Sequence, residues 1–521
     1  MADKKRNVPG RFTASEARNL ILAALQDDRD SGDDILSDDD NSSDNEVAGR
    51  IDTVPDTPGT HALDDNDTFS EGDEEEEDSD DDEVSRPGRG GGSVRGGQGD
   101  GRGGCGDGRR GRGGTRGRGR VGNTLPDVNE SETGSPQAGT SDPGGASNVF
   151  TSKNGKEIWK KECAGAWKFA PQNVMKQQPG PTTYAAQRAN SITDTFELFL
   201  TPRIVGIILN MSNQEGQRLY NDSWIDITEV ELKAYFGLLF LAGVYRSAGE
   251  ATEELWHVSD GRKIFRAVMS QRRFEDISRV IRFDDKNTRS ARRRNDRLAP
   301  IREVFDLWVE TLSKSFVPYE NVTIDEQLIP FRGRCSFRQY MKSKPAKYGI
   351  KLWVMCDSSS SYALNIQVYT GRAAVQPPEK NQGERVVHDM VEVVKGTGRN
   401  VTTDNFFTSV PLARDLLKKK LSLLGTLRKN KGELPPEFLP CRKREVYSSI
   451  FGHQEPLTVL SYVPKKGKAV ILLSSMHRDA EISDRTDKKP QIIMDYNSTK
   501  GGVDTLDQMV SKFSTKRMTR R

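Results

Sequence analysis

The chain has 521 residues, of which 34% are hydrophobic and 30% charged, an apolar content too low for a protein folded from end to end. Part of it is therefore expected to be disordered. Lysines and arginines number 78 against 76 acids, and the net charge of +2 conceals strong segregation along the chain. The five cysteines, Cys105, Cys163, Cys335, Cys356 and Cys441, lie far apart without a C-x-x-C pair, which excludes a readable disulfide framework or zinc site and fits a reducing compartment.

The start, MADKKRNV, is charged and lacks the apolar run of a secretory signal, which points to the cytosol or nucleus. Residues 1–148 contain almost no aromatics and divide into an acidic block, peaking at EGDEEEEDSDDDE (71–83), and an RG-rich basic block (86–120). Neither buries enough apolar surface to offset its ordering entropy, so a disordered tail is expected. Ser37 and Ser79 precede runs of acid, either as sites for an acid-directed kinase or as parts of a solvated spacer. The RG-rich block pairs flexible glycine with arginines that meet phosphates and stack on bases, so RNA is a candidate partner there; folding back onto the acidic block is the competing reading.

Aromatics return in VFTSKNGKEIWKKECAGAWKFA, within a linker assigned to 149–183, and the pattern is helical from Tyr184. TPRIVGIILNM (201–211) has Thr201 as N-cap and proline in its first turn. DITEVELKAYFGLLFLAGVY has Thr228 as N-cap and Glu231 three residues on, a capping box. Its apolar run, AYFGLLFLAGVY (234–245), falls short of the roughly 18 residues of a membrane span and reads as a buried core helix, so no membrane partner is expected. MSQRRFEDISRVIRF (269–283) and APIREVFDLWVETLSKSF (299–316) are further amphipathic helices, separated by the basic loop KNTRSARRRNDR. Residues 184–320 thus form an all-helical unit.

After Tyr319 the period changes to that of strands: NVTIDEQLIPF, IKLWVMCD, YALNIQVYTG and, beyond the helix ERVVHDMVEVVKG, NVTTDNFF. VPLARDLLKKK is a helix and LSLLGTLR another strand, so a mixed sheet covered by helices is expected over 321–429. Residues 430–489, with PLTVLSYVP and AVILLSSM, read as a small inserted β-rich unit before the chain returns over 490–521.

Three aspartates stand at comparable places: Asp325 on the first strand, Asp404 at the end of a later one and Asp504 after a Gly-Gly break at a helix start. Carboxylates at element ends assemble sites for hard cations, and two such metals support phosphoryl transfer. Asp504 and Asp507, at i and i+3, share one helix face near the positive helix end. The competing reading is a cap or dipole partner at the helix and a turn residue after the strand. Around Asp325 the chain is basic, with Arg332, Arg334, Arg338, Lys342, Lys344, Lys347 and Lys351 interleaved with Phe337, Tyr340 and Tyr348. That is either an electrostatic footprint for a nucleic-acid backbone or a strand with solvated charges.

TIDEQLIPFRGR, KPAKYGIKLWVMCDSS, VYTGR, TTDNFFTS and YNSTKGGVDTLDQM, in that order, resemble the piggyBac family of transposases over roughly Tyr184 to Phe513. The resemblance implies an α/β catalytic core like ribonuclease H with an inserted β-rich unit, preceded by part of an all-helical dimerisation and DNA-binding domain, to which the composition adds a long disordered N-terminal region. It places the family's catalytic, metal-binding acids on Asp325, Asp404 and Asp504, with Asp507 as the fourth acid and Asp357 outside the site. It implies Mg²⁺ or Mn²⁺ in a two-metal site, duplex DNA with TTAA targets, a homodimer and a nuclear location. The family continues past the last motif into more helix and a cysteine-rich zinc module, so the expectation here is a truncated C-terminal element, no zinc site and doubtful autonomous activity.

Overall fold

The computed structural model describes residues 148–163, 174–342, 344–371 and 379–517. Of the expected disordered tail over 1–148, residues 1–147, with the RG-rich block, fall outside the described residues.

The helical unit comprises α1 (Thr183–Arg188), α2 (Ile192–Phe199), α3 (Pro202–Tyr220), α4 (Glu229–Val244), α5 (Thr252–Trp256), α6 (Lys263–Val268), α7 (Gln271–Val280), α8 (Lys286–Arg293) and α9 (Arg302–Ser315). Thr201 and Thr228 cap as expected, their hydroxyls accepting from the amides of Ile204 and Glu231. Glu231 does not close a capping box; its carboxylate instead takes the Arg273 guanidinium in two bonds of 2.6 and 2.7 Å. Ile204, Ile208, Leu232, Leu238, Phe265, Phe274 and Ile277 form the core of this unit.

Two readings need correction. The basic segment after α7 is a helix over Lys286–Arg293 and not a loop, because Asp285 caps it and Arg289 and Arg292 both turn onto the buried Asp284. Helix α4 is only half a core helix: Leu232, Tyr235 and Leu238 are buried, whereas Phe240 is 50% exposed and Val244 61%.

The second unit is built on one mixed sheet. Its strands are β1 (Val149–Thr151), β2 (Ile158–Lys160), β5 (Asn321–Pro330), β6 (Gln339–Tyr340), β7 (Tyr348–Asp357), β8 (Ala363–Val368), β9 (Asn400–Thr403), β10 (Ser422–Thr426), β11 (Ser449–Gln454), β12 (Leu457–Tyr462) and β13 (Val470–Ser474). The short pair β3 (Gly180–Pro181) and β4 (Phe316–Val317) stands apart. The order is β1-β2-β11-β12-β13-β10-β9-β5-β7-β6, with β8 on β7. Strand β9 runs parallel to both β5 and β10, while β7 and β13 are antiparallel to their neighbours.

Residues 430–489 therefore supply strands that extend the main sheet through the β10–β13 ladder. Within the segment read as a linker, β1 and β2 occupy the far edge, where Trp159 is fully buried and Phe150 meets Phe438 edge-on at 5.1 Å. Strands of three residues are too short to show a period, which is why the sequence hides them.

Helices α10 (Gln382–Met390) and α11 (Val410–Lys418) cover one face; α12 (Gln491–Thr499) and α13 (Gly502–Lys512) cover the other. The two-residue period of a strand sorts the side chains between them. On β7, Trp353 and Met355 join the core under α10 and α11, whereas Leu352, Val354 and Cys356 meet Val503 of α13. On β5, Val322 and Ile324 belong to the first core, which leaves Thr323, Asp325 and Gln327 on the α12–α13 side.

Candidate metal centre

Ile324 of β5 pairs with Thr403 of parallel β9, so Asp325 and Asp404 leave adjacent strands at the same level. Both are half-buried. The third acid arrives on α13, whose first turn lies against β5. A Cβ on Gly502 would stand 3.2 Å from the Thr323 hydroxyl and 3.3 Å from Ser358 Cα, so only glycine allows this approach without a shift. Asp504 is exposed and directly follows the buried Val503 in that turn.

Hydroxyls and an amide lock the helices to the strands. Thr323 Oγ1 donates to the Thr499 carbonyl at 2.5 Å, Thr402 Oγ1 donates to Thr499 Oγ1 at 2.9 Å, and Gln327 Nε2 donates to Asp507 Oδ1 at 3.1 Å. Thr323 and Thr402 each precede a site aspartate by two residues and so share its face. Strand alternation could have found both, and Gln327 as well. Nothing in the sequence pointed to Thr499.

The electrostatics show the acids in a common field. Burial pushes the Asp325 carboxyl well above the usual carboxylate range, and the charges of Asp404, Asp504 and Glu326 push the same way. Asp404 is raised to about 6, chiefly by burial and also by Glu326; the amides of Phe406 and Phe407 and the Arg428 cation oppose the shift. The phenol of Tyr496, on α12, is driven up by burial and by the charges of Asp404, Asp325 and Asp504. Tyr496 itself packs in the hydrophobic cluster of Leu424, Leu460 and Ile492 between α12 and the sheet.

Among the described residues, no three His, Cys, Asp or Glu side chains stand close enough together to form a ligand cluster for a metal ion. The donor set nonetheless suits a hard divalent cation. Its oxygens are carboxylates, and their mutual repulsion is what such a charge relieves. Asp325, Asp404 and Asp504 are the residues that would hold it.

The cations predicted to meet DNA separate into two groups. Lys351 is inward, bridging to Glu326 at 2.6 Å with its ammonium 5.3 Å from the Phe406 ring; Lys344 donates to the Glu326 carbonyl at 3.2 Å. Arg332, Arg334, Arg338, Lys342 and Lys347 are exposed. Among these, Arg338 donates to the Arg332 carbonyl at 3.0 Å and lies over Tyr348. Tyr340 and Tyr348, both exposed, pack against each other at 4.9 Å on the same arm of the sheet. Asp357 sits at the other end of the β5–β7 ladder, opposite Val322, and is saturated by the Tyr319 and Ser360 amides and the Ser359 and Ser360 hydroxyls.

A family model described as Transposase IS4 matches residues 192–521. PiggyBac transposable element-derived protein 2 of Homo sapiens is 25% identical over 347 residues, covering 62% of this chain and 56% of that protein. PiggyBac transposable element-derived protein 3 of Homo sapiens is 26% identical over 352 residues, with the same coverage of 62% and 56%. A cryo-EM structure of a piggyBac transposase synaptic complex with hairpin DNA superposes with a TM-score of 0.62 at 41% identity, over 66% of this chain and 73% of that one. The architecture is accordingly the ribonuclease-H-like fold of DDE transposases. The chain belongs to the piggyBac transposase family. It spans 56% of the length of the two human relatives.

Proposed function

We propose that this chain is a DNA-cleaving and strand-transfer protein dependent on Mg²⁺ or Mn²⁺, with Asp325, Asp404 and Asp504 as metal ligands and Asp507 in support. The observation that carries this reading is geometric: Asp325 and Asp404 leave adjacent parallel strands at one level, and the first turn of α13, which bears Asp504, packs against Thr323 of the same strand as Asp325. Held by Asp325, Asp404 and Asp504, a divalent cation would supply activation of an attacking oxygen and charge stabilisation of the leaving one. The chain's own contribution is positional: Gln327 orients Asp507, and Thr323, Thr402 and Thr499 fix the helix start beside the strands. By its family the substrate is duplex DNA with TTAA targets, the place of action the nucleus and the acting form a homodimer built on the helical unit. Divalent-metal-dependent nicking of duplex DNA, abolished in Asp325→Ala and in Asp404→Ala, is the expected result. Equal nicking by the wild type and both variants would sink the proposal.

One observation favours a second reading. The arm carrying Arg332, Arg334, Lys342, Lys347, Tyr340 and Tyr348 is open to solvent and separate from the acids, so it can hold a DNA backbone without cutting it. A DNA-associated nuclear protein without catalysis would show salt-sensitive duplex binding and no metal-dependent nicking.

A further inference from the structure

Beyond α13 the chain does not stay with the sheet. It returns to the helical unit, and three contacts fix it there. The Phe513 carbonyl passes directly over Gly243 of α4, where a Cβ would stand 2.6 Å from it. Arg246, in the left-handed conformation just past the end of that helix, places its guanidinium 5.7 Å from the Phe513 ring centroid. Arg517 then reaches into the turn after α4 and donates to the Ser247 carbonyl at 2.6 Å and the Glu250 carbonyl at 2.7 Å. The Glu250 side chain is itself gripped by Arg262, at 2.6 and 3.0 Å.

Helix α13 has 11 residues and exposes Asp504, Gln508 and Val510. Helices shorter than about 12–15 residues are marginal on their own, so this one depends on what holds its ends. Its first turn is held by Gly502 against Thr323, and its middle by Gln327 on Asp507. Past its last turn, the fastening is to the helical unit.

We propose that Phe513–Arg517 is a strap through which the helical unit positions the acids of the metal centre, with Arg517 as a positioning residue for Asp504 and Asp507. The strap joins the two units on the very helix that carries two of the site's four acids. A displacement of α4 or of the turn after it is thereby passed to α13 and on to the carboxylates. The guanidinium suits this task because its planar fork spans two carbonyls at once, which an ammonium cannot do in the same geometry.

The proposal rests on the metal-centre reading above, and its test separates the two. Arg517→Ala removes the anchor, while Gly243→Ala dislodges the strap by steric overlap and leaves Arg517 intact. In the full chain, hydrogen exchange is followed at the amides of residues 507–512, with those of β5 and β10 as controls, and Mn²⁺ binding is followed by electron paramagnetic resonance. Both variants are expected to exchange about tenfold faster at 507–512 with the controls unchanged, and to bind Mn²⁺ about tenfold more weakly. Arg517→Lys should fall between wild type and Arg517→Ala. Unchanged exchange in Arg517→Ala overturns the strap, and faster exchange with Mn²⁺ affinity within about twofold of wild type overturns the coupling. If the wild type binds no Mn²⁺, the metal-centre reading fails; faster exchange then supports the fastening alone, and unchanged exchange still overturns it.

Discussion

Thr402 and Thr499 share a buried hydroxyl-to-hydroxyl hydrogen bond of 2.9 Å, the first two residues before Asp404 and the second five before Asp504. Thr499 also accepts from Thr323 through its carbonyl, so one residue at the end of α12 ties together both strands that bear acids. In Thr499→Val the shape is kept but the Thr402 hydroxyl loses its acceptor. A loss of about 1–2 kcal/mol in urea unfolding is expected. A variant as stable as the wild type would show that the clamp contributes nothing.

Asp404 gives a pH dependence with a definite sign. Its folded value of about 6 lies above the ordinary carboxylate value of about 3.9, so the folded chain holds the proton more tightly than the unfolded chain does. The group's contribution is fully present below about pH 4 and is lost as pH rises through about 6. In EDTA at about pH 7.5, Asp404→Asn should therefore be more stable than wild type by roughly 1–3 kcal/mol, and the difference should vanish near about pH 4. Identical urea midpoints at both pH values would refute this.

The exposed and inward cations should behave differently on DNA. Substituting Arg334, Lys342 and Lys347 by alanine should flatten the dependence of log K on log salt by about 0.9 for each phosphate that is no longer neutralised. Lys351→Ala should leave that slope unchanged, because its ammonium is held by Glu326. Fluorescence anisotropy over a salt series distinguishes the two cases, and a flattened slope in Lys351→Ala would contradict the assignment.

Glu215 is the electrostatic pin of the helical unit, with its side chain 3% exposed and Arg218, Arg282 and Lys286 at 2.7, 2.8 and 2.9 Å. These cations, Arg218 foremost, hold its carboxyl far below the usual range. Its stabilisation is present above the ordinary glutamate value of about 4.3 and is lost as pH falls toward the depressed one. Glu215→Ala leaves the cations facing one another and should cost about 3 kcal/mol at neutral pH, read from thermal unfolding. A change of less than about 0.5 kcal/mol would place the stabilisation elsewhere.

What was legible in the sequence followed from period and capping. Short runs rich in β-branched and aromatic residues, NVTIDEQLIPF and IKLWVMCD, marked β5 and β7, and Thr201 and Thr228 marked helix starts. Helix α8 stayed hidden because its partner, the buried Asp284, lies just outside it and its own residues are nearly all polar. The inward turn of Lys351 was equally invisible: it reaches diagonally across the β5–β7 ladder to Glu326, which pairs with Trp353, and register is a property of the folded sheet. Spacing alone left Asp504 and Asp507 open to a capping role, and the resemblance to a family gave them their place beside Asp325 and Asp404. The threonine clamp lay beyond reach, since Thr499 is 97 residues from Thr402 and 176 from Thr323.

That separation also sets an order of events during synthesis. Asp325 lies on β5 and Asp404 directly follows β9, which pairs with it, whereas Asp504 follows Asp404 by 100 residues. At about 5–20 residues per second, the ribosome takes roughly 5–20 s to cover that interval. Over that time the nascent chain carries two mutually repelling acids without the helix that completes the set, so the chain emerges with its third carboxylate still unmade.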